Sequence, residues 1–423
     1  MKPEMPKCTP KTRKIFLIIS AVLFVVIIAT IIAAVVSTRT PEATLGPAID
    51  PSLASPFLQE SGDDKHVIVI GAGAAGLFAG YSLTYLGIDC TILEASDNFG
   101  GRVQELPAGA FVDVPLDLGA EWIHVNPRVL QDMLLFDDKV DIKTIVYQPQ
   151  TISTYRNNRR WRNNWMRFFY REHKFYNTTW HSYLAEYVYP YVVDQLELNA
   201  VVTSIDYSSE GSIAVETADG RTFVGSHVIV ATPVTVLQDG DIEFNPPLPE
   251  TKQVALQQVY MTAGLKVWVE FDENFYPDMQ IPGTIGTFLW GEGALYFDAL
   301  FRKPSDRNVL ALFQVGGKGA YKRVAMDDKS ILRNVLDELD KIFDGKARKH
   351  YVKGIVQNWS SEPFIKGAYS YNDYNMAPLR EPIDSRIYFC GEYLNYDDQS
   401  TVHGAAISGR TTAMRLVLDS ALQ

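Results

Sequence analysis

The feature that most constrains the fold is the stretch HVIVIGAGAAGLFAGYSL at residues 66–83. A short β-branched run, Val67–Ile70, predicts a buried strand. It is followed by three glycines in the spacing G-x-G-x-x-G and then by an apolar run typical of a helix. Glycines in this spacing permit a tight turn and a close approach to phosphate, which the helix N-terminus binds through free N–H groups. The stretch therefore predicts a dinucleotide-binding βα unit with contacts from Gly71, Gly73, Ala74, Ala75 and Gly76.

A second strand, CTILE at residues 90–94, follows the predicted helix and ends in Glu94. An acidic residue roughly 20 positions after the first glycine hydrogen-bonds a ribose hydroxyl in such units. Its charge would repel a 2′-phosphate, which argues against NADP. This pattern does not distinguish NAD from FAD.

Residues 15–37, IFLIISAVLFVVIIATIIAAVVS, contain no charged residue and are long enough to cross a bilayer of roughly 30 Å. The apolar region of a cleaved signal peptide is shorter, so we expect a permanent transmembrane helix. Residues 1–14 carry five basic side chains and one acidic side chain. The positive-inside rule then predicts a single-pass protein with a cytoplasmic N-terminus and a lumenal or extracellular domain. Residues 38–64, rich in Pro, Ala and Ser, are expected to be a linker.

The formal net charge of −11, with a basic N-terminal tail, excludes a nucleic-acid-binding protein. An acidic domain either attracts cationic ligands or serves only solubility. Three cysteines are too few for a disulfide framework, and the seven histidines show no metal-ligand spacing, so we expect no metal site. Asn177 and Asn358 lie in glycosylation sequons, which fit a lumenal or extracellular domain but also occur by chance.

From about residue 65 to the C-terminus, several motifs in order resemble those of the flavin-containing amine oxidases. They are ASDNFGGRV (95–103), LDLGAEWIHVNP (116–127), TAGLKVWVEFDENFYP (262–277), FIKGAYSY (364–371) and RIYFCGEYLNYDDQSTVHGAAISGR (386–410). The segments LDLGAEWIHVNP and QSTVHGA are more similar to polyamine oxidases than to monoamine oxidases. The resemblance implies that the dinucleotide is FAD, enclosed by both ends of the chain.

The resemblance also implies which residues hold FAD. Arg102 would lie near the pyrophosphate, the backbone of Val202 would contact the adenine, and the helix that begins near Thr401 would point at the flavin ring. The flavin would be non-covalent, because Ala368 stands where monoamine oxidases carry the cysteine that links it. With the glycine turn and Glu94, the implied cofactor residues are Ala95, Gly101, Arg102, Trp122, Val202, Trp359, Gly391, Glu392, Thr401 and Val402.

Four residues match catalytic positions of the resembled family. Lys266 would hold a water against flavin N5, and the alternation in LKVWVEF points it inward, where we expect it to be unpaired. Tyr369 would form one wall of an aromatic cage with Thr401 opposite, and His124 would lie on the substrate side. Glu121 and His124 are expected to face opposite sides of an extended segment. Lys303, in a polar stretch, is expected at the surface.

The segment between His124 and the predicted hairpins at 198–233 is shorter than the helical lid of full-length polyamine oxidases. It contains the basic and aromatic stretch RNNRRWRNNWMRFFYREHKF at residues 156–175. Two interpretations stay open: an amphipathic or membrane-facing surface, and a reduced substrate lid.

The predicted fold class is α/β with an α+β second domain. A Rossmann-like FAD-binding domain (65–125, 195–240 and 380–423) is interleaved with a mixed-sheet substrate domain (126–194 and 241–379). The substrate domain is expected to contain strands at 264–271, 287–290 and 309–315 and a helix at 330–343. The predicted function is a membrane-anchored amine oxidase that oxidises a polyamine C–N bond to an imine and reduces O2 to H2O2. The alternatives are an L-amino-acid oxidase, for which Arg128 or an arginine of the Arg156–Arg171 cluster would bind the carboxylate, and a flavin-binding protein without turnover.

Overall fold

The computed structural model describes residues 42–45, 49–55, 57, 65–284, 293–371 and 376–420. The predicted transmembrane helix at 15–37 and a predicted strand at 287–290 lie outside these ranges, as does most of the predicted linker. Within the described ranges, no helix combines the length and the apolarity needed to span a bilayer.

The strands in chain order are β1 Val67–Ile70, β2 Cys90–Leu93, β3 Glu105–Leu106, β4 Leu116–Asp117, β5 Thr144–Tyr147, β6 Ile152–Arg156, β7 Arg159–Arg162, β8 Glu172–Phe175, β9 Leu196–Glu197, β10 Val202–Asp206, β11 Ile213–Thr217, β12 Thr222–Gly225, β13 His227–Val230, β14 Glu243–Asn245, β15 Tyr260–Met261, β16 Gly264–Phe271, β17 Met279–Ile281, β18 Ala294–Asp298, β19 Asn308–Val315, β20 Tyr351–Asn358, β21 Ser370–Tyr371 and β22 Ile387–Phe389. The α-helices are α1 Ala74–Tyr85, α2 Val129–Asp132, α3 Trp180–Tyr187, α4 Val234–Gln238, α5 Glu250–Gln258, α6 Gly317–Val324, α7 Asp328–Ile342, α8 Lys346–Lys349, α9 Ala377–Arg380 and α10 Val402–Ser420.

A five-stranded parallel sheet has the order β22-β13-β1-β2-β9. Every residue of β1 is buried, as expected for a central strand covered on both faces. Helices α1 and α10 pack against each other, and Gly409 permits this contact because a Cβ there would lie 1.9 Å from the carbonyl oxygen of Ala75. The strand order reverses at β1, which opens a crevice at the carboxyl ends of β1 and β13.

A seven-stranded mixed sheet has the order β20-β16-β19-β18-β17-β6-β7. Its strand β16, between β20 and β19, is paired along its whole length, with Lys266 opposite Phe313 on one side and Gln357 on the other. Helix α7 covers the sheet with an apolar stripe that includes Ile331, Val335 and Leu339, at the spacing of one helix face. A four-stranded sheet, β12-β11-β10-β14, and three two-stranded sheets complete the described fold.

The segment predicted to be a lid or a surface contains four strands, β5 to β8, between short helices. Strands β5 and β8 pair with each other, and β6 and β7 extend the seven-stranded sheet to its edge. Helix α3, at residues 180–187, buries one face in the core. The segment therefore replaces a helical lid with an added sheet edge.

The fold shows the surroundings of the two glycosylation sequons and of two of the cysteines. Asn358 is 6% exposed at the end of β20 and donates its Nδ2 hydrogen to the carbonyl of Val324, so it has no room for a glycan, whereas Asn177 is exposed. Cys90 and Cys390 are both buried and free, and burial raises the pKa of each thiol.

Candidate active site

A cavity of about 1480 Å³ lies at the carboxyl ends of β1, β2, β13 and β22 and reaches the seven-stranded sheet. It exceeds the roughly 300–1,000 Å³ of a typical small-molecule pocket, as a site for a dinucleotide and a substrate must. The residues predicted for the site line this cavity, with the exception of Gly76: Gly71, Gly73, Ala74, Ala75, Glu94, Ala95, Gly101, Arg102, Trp122, His124, Val202, Lys266, Trp359, Tyr369, Gly391, Glu392, Thr401 and Val402.

The glycine turn after β1 forms a cradle for a phosphate. Gly73 precedes α1 without a side-chain cap, and a Cβ built on it meets no atom within 4 Å, so its exposed face is open to the cavity. Gly101 has φ +58°, and its Cβ would lie 3.3 Å from the Cα of Gly73. Gly76 acts differently: its Cβ would lie 1.8 Å from the carbonyl oxygen of Gly71, so it permits the turn itself. The open helix N-terminus fits a pyrophosphate.

The carboxylate of Glu94 is buried and held by two backbone N–H groups. Its Oε2 accepts a hydrogen bond from Ala72 N at 2.7 Å and its Oε1 accepts one from Ser96 N at 2.9 Å. Each oxygen keeps a further lone pair, and the residue lines the cavity. This geometry fits a ribose diol.

A buried hydroxyl marks the opposite side of the crevice. Thr232, which follows β13, lines the cavity, and its Oγ1 has no hydrogen-bond partner among the described residues. Buried polar groups are nearly always satisfied, so this hydroxyl fits a ligand with a polar group at that point.

Arg102 and Glu392 form an ion pair that ties the two ends of the chain together. The guanidinium NH1 donates to Glu392 Oε1 at 2.8 Å and to the carbonyl of Ala368 at 3.1 Å. Glu392 also accepts hydrogen bonds from the N–H and hydroxyl of Ser370 and from the N–H of Ser400. Its oxygens are therefore engaged by the protein, and its contribution is to position Arg102 and two cavity loops.

Lys266 is only 3% exposed and points into the protein, but it is not unpaired as expected from the sequence. Its Nζ donates to the carbonyls of Asp117 (2.8 Å) and Gly119 (3.1 Å) and to Glu121 Oε2 (2.7 Å). An ammonium group has three hydrogens, and all three have protein acceptors here. A water at flavin N5 would have to share or replace one of these acceptors.

Glu121 lies between two lysines. Its second oxygen pairs with Lys174, which is fully buried and packs over the rings of Trp122 and Phe297. Burial alone would raise the pKa of Glu121, but the charges of Lys174 and Lys266 outweigh it and lower the pKa to about 2. Glu121 is therefore ionised at neutral pH.

Two further charged groups complete this buried network. Lys303, expected at the surface, is 7% exposed, because the polar stretch around it folds against the site; burial and the charge of Lys174 lower its pKa to about 8. Burial raises the pKa of Asp117 to about 7. Sequence reasoning missed Lys174 and Asp117, set Glu121 aside and placed Lys303 wrongly.

Backbone pairing explains why these groups meet. The N–H groups of residues 118 and 120 donate hydrogen bonds to the carbonyls of residues 104 and 102. This pairing fixes the segment beside the glycine loop and places Glu121 next to Lys266. Gly119 is required in this segment, since a Cβ would lie 1.8 Å from the carbonyl oxygen of Arg102. A bridge between Ile123 and His173 places Lys174 beside Glu121. The sequence offered a signal for Glu121, because an acidic residue inside an apolar motif suggests a buried charge. It offered no comparable signal for Lys174.

Tyr369, Trp359 and Thr401 all line the cavity. Burial and nearby Glu392 raise the pKa of Tyr369 to about 12, so its ring is neutral. The indole of Trp359 donates to the carbonyl of Leu118 at 3.1 Å. Thr401 accepts from Gly404 N and donates to the carbonyl of Asp398, so its hydroxyl caps α10.

His124 lies at the accessible part of the cavity wall, with its side chain 45% exposed. Its Nδ1 is 3.2 Å from Glu172 Oε2, and Glu172 and Tyr170 line the same cavity. Glu121, three residues earlier, is buried. Glu172 was not singled out from the sequence.

The arginines suggested for an amino-acid carboxylate lie elsewhere. Arg128 is paired with Asp132 and 75% exposed, and neither it nor the arginines of the 156–171 cluster line the cavity. Among the described residues, Arg102 is the arginine that lines it, and its guanidinium is bound to Glu392.

Comparisons with known proteins agree with this geometry. A family profile described as NAD(P)-binding Rossmann-like domain matches residues 69–135, and one described as flavin containing amine oxidoreductase matches residues 182–417. Lysine-specific histone demethylase 2 of Homo sapiens is 24% identical over 450 residues, covering 84% of this chain and 53% of that protein. Polyamine oxidase 1 of Zea mays is 30% identical over 236 residues, covering 53% of this chain and 46% of that protein. The chain thus spans about half the length of these relatives.

Solved structures share the fold at low sequence identity. Cyclohexylamine oxidase from Brevibacterium oxydans IH-35A superposes with a TM-score of 0.69 at 16% identity, covering 84% of this chain and 99% of that one. Wild-type putrescine oxidase bound to putrescine superposes with a TM-score of 0.67, also at 16% identity and with the same coverage.

Proposed function

Because this chain belongs to the flavin containing amine oxidoreductase family, we propose that it is an FAD-dependent oxidase acting on a polyamine. FAD is the cofactor of the family, and the glycine cradle, the oriented Glu94 and the open Thr232 hydroxyl fit it. The observation that carries the proposal is the position of Lys266, buried in the wall of the same cavity that the cradle lines.

Bound FAD would supply a two-electron acceptor for a hydride from the carbon next to the amine, and O2 would take up these electrons, so that an imine and H2O2 would be the products. The residues of this chain shape the surroundings of that chemistry. Tyr369 and Trp359 provide neutral aromatic surface that excludes water and receives an uncharged amine. Lys266 places its side-chain amine in a buried site, where electrostatic stabilisation is strongest.

The charge of the network supports the reduction of oxygen. Lys174 and Lys266 share one ionised Glu121, so this triad keeps an excess positive charge. A buried cation stabilises the negative charge that oxygen gains when it is reduced. Lys174 acts through Glu121, as a positioning residue for Lys266.

A polyamine fits the accessible end of the cavity better than a monoamine does. Glu172 provides a partly exposed carboxylate there, beside His124, which suits a second ammonium group away from the reacting amine. An amino-acid substrate would need a free cation for its carboxylate. Arg102, Lys266 and Lys366 are engaged by carboxylates, and the remaining cavity lysine, Lys318, is exposed at the start of α6.

Anaerobic mixing of the FAD-loaded chain with spermine tests this function. We expect the oxidised flavin absorbance to bleach with spermine and to return when oxygen is admitted. Bleaching with L-amino acids alone would assign the alternative oxidase activity. The absence of bleaching with any amine would leave a flavin-binding protein without turnover and would overturn the proposal.

We also propose that residues 15–37 anchor the chain in a membrane, with the catalytic domain on the lumenal or extracellular side. The uncharged length of this segment and the basic residues before it support the proposal. The exposed Asn177 provides a test in cells. We expect a glycosidase-sensitive mobility shift that Asn177→Gln abolishes, and cytoplasmic accessibility of the domain to protease would contradict the topology.

A further inference from the structure

A strongly basic and aromatic surface lies at the edge of the seven-stranded sheet, on residues 156–171. All residues from 156 to 162 are exposed, and β7 is the last strand of the described sheet. Between Asp141 and Glu172 the sequence contains no acidic residue. Six arginines fall in this surface: Arg156, Arg159, Arg160, Arg162, Arg167 and Arg171.

None of these six guanidinium groups forms an ion pair with a carboxylate of the part of the chain that the structure describes. Other exposed arginines do: Arg128 pairs with Asp132, and Arg348 pairs with Asp337. The chain as a whole has a formal charge of −11, so carboxylates are plentiful elsewhere. A cluster of unpaired like charges on an acidic protein is a surface complementary to an external anion.

Large aromatic side chains stand among these arginines. Trp161, Trp165, Phe168 and Phe169 are 56%, 54%, 63% and 43% exposed. Trp165 packs edge-on against Phe169 with ring centroids 5.8 Å apart, and Arg167 lies 4.9 Å from the ring of Phe168. Exposed tryptophan, phenylalanine and arginine side chains in one short segment are the composition of a surface that lies in a membrane interface.

The surface continues directly into the wall of the cavity. Residues 168 and 169 are exposed on it, whereas Tyr170 and Glu172 line the cavity. A long polyanion bound here would run onto the acidic remainder of the chain, whereas a bilayer needs only this local face. A free anion would contribute little to burying the exposed aromatic rings, whereas the headgroup region of a bilayer would remove them from water.

We propose that this arginine–aromatic surface docks on the headgroup region of a phospholipid bilayer, with the guanidinium groups on lipid phosphates and the rings among the headgroups. Arginine binds phosphate in a bidentate geometry, and every phospholipid headgroup contains a phosphate. The proposal depends on the proposed membrane anchor in one respect: the anchor would hold this surface close to a bilayer.

Tryptophan quenching by brominated phosphatidylcholine in vesicles tests the docking with the full-length chain. Residues 1–64 contain no tryptophan, so this signal does not report the anchor. We expect quenching that increases when an anionic lipid is added and that Trp161→Phe with Trp165→Phe removes. Replacing the exposed Arg156, Arg159 and Arg162 by Ser should reduce it about twofold or more. The matched control replaces the exposed Arg128, Lys139 and Lys329 by Ser and should leave it unchanged.

Flotation of the same samples reports the anchor separately. A chain that floats with vesicles but shows no quenching of these tryptophans overturns the docking surface and leaves the anchor. Quenching that the arginine replacements do not reduce also overturns it. Arginine-dependent binding of a single-stranded oligonucleotide without lipid quenching would assign the surface to nucleic acid instead. Unchanged FAD content and near-UV circular dichroism of the variants establish that they are folded.

Discussion

Lys266 Nζ and Glu121 Oε2 form a buried ion pair at 2.7 Å, with both side chains almost fully removed from solvent. Because Lys174 holds the other oxygen of Glu121, the pair is the centre of a triad with two cations and one anion. Glu121 is therefore the carboxylate that compensates the charges of two buried lysines.

Replacing Glu121 by Gln should destabilise the fold. Removal of one partner of a buried ion pair costs about 3–5 kcal/mol, because it leaves uncompensated charge in the interior. We expect Glu121→Gln to lower the free energy of unfolding in urea by an amount in this range. Adding Lys174→Met should recover part of the loss, since one stranded cation is then absent. Additive effects of the two substitutions would contradict the triad.

Lys303 should give the chain a specific pH dependence of stability. Burial lowers its pKa to about 8 in the folded protein, whereas an unfolded lysine titrates near 10.4. Between these values the unfolded chain binds more protons, so this group makes stability rise with pH, by at most about 1.4 kcal/mol per unit. We expect the difference in unfolding free energy between wild type and Lys303→Met to change over pH 8–10. A constant difference would show that Lys303 is solvated.

Glu94 should contribute to FAD affinity in addition to ordering the glycine turn through its two backbone hydrogen bonds. Two backbone N–H groups orient its carboxylate toward the cavity. Loss of hydrogen bonds from a charged acceptor is worth about 1.5–3 kcal/mol, so Glu94→Ala should weaken FAD binding roughly 10- to 100-fold in a titration of the apoprotein. Glu210→Ala, at an exposed turn, is the control, and equal affinities would remove Glu94 from the site.

The flavin should be released by acid precipitation. Ala368, at the position before Tyr369, has no nucleophilic side chain. Absorbance of the supernatant at the flavin band measures the released fraction, and we expect all of it to be recovered there. Colour that stays in the pellet would indicate a covalent bond.

Local patterns were enough to predict the dinucleotide-binding unit. The β-branched run predicted β1 at its observed bounds, and the alternation in GLKVWVEF predicted β16. The helix predicted at 330–343 is observed as α7, at Asp328–Ile342, beginning after the capping side chain of Asp327. These elements are determined by residues close together in the sequence, so local sequence patterns are enough to predict them.

The charge network could not be predicted in the same way. Lys174 and Lys303 stand in polar stretches, and their burial arises from contacts with residues far away in the sequence. The same holds for the 126–194 segment, where the pairing of β6 with β17 makes residues 152–162 the edge of the seven-stranded sheet, a placement that the local sequence pattern did not predict. Contacts between distant segments, rather than local propensity, decide both outcomes.

Stopped-flow reoxidation of the reduced enzyme tests the central claim, that Lys266 supplies the charge for oxygen reduction in a working oxidase site. In Lys266→Met, Glu121 keeps Lys174 as its partner, so the fold and FAD should be retained. We expect reoxidation by O2 to slow roughly 10²-fold or more, equivalent to several kcal/mol of lost transition-state stabilisation. Lys329→Met, at an exposed position of α7, is the control and should reoxidise at the wild-type rate. Equal rates for Lys266→Met and wild type would contradict the account.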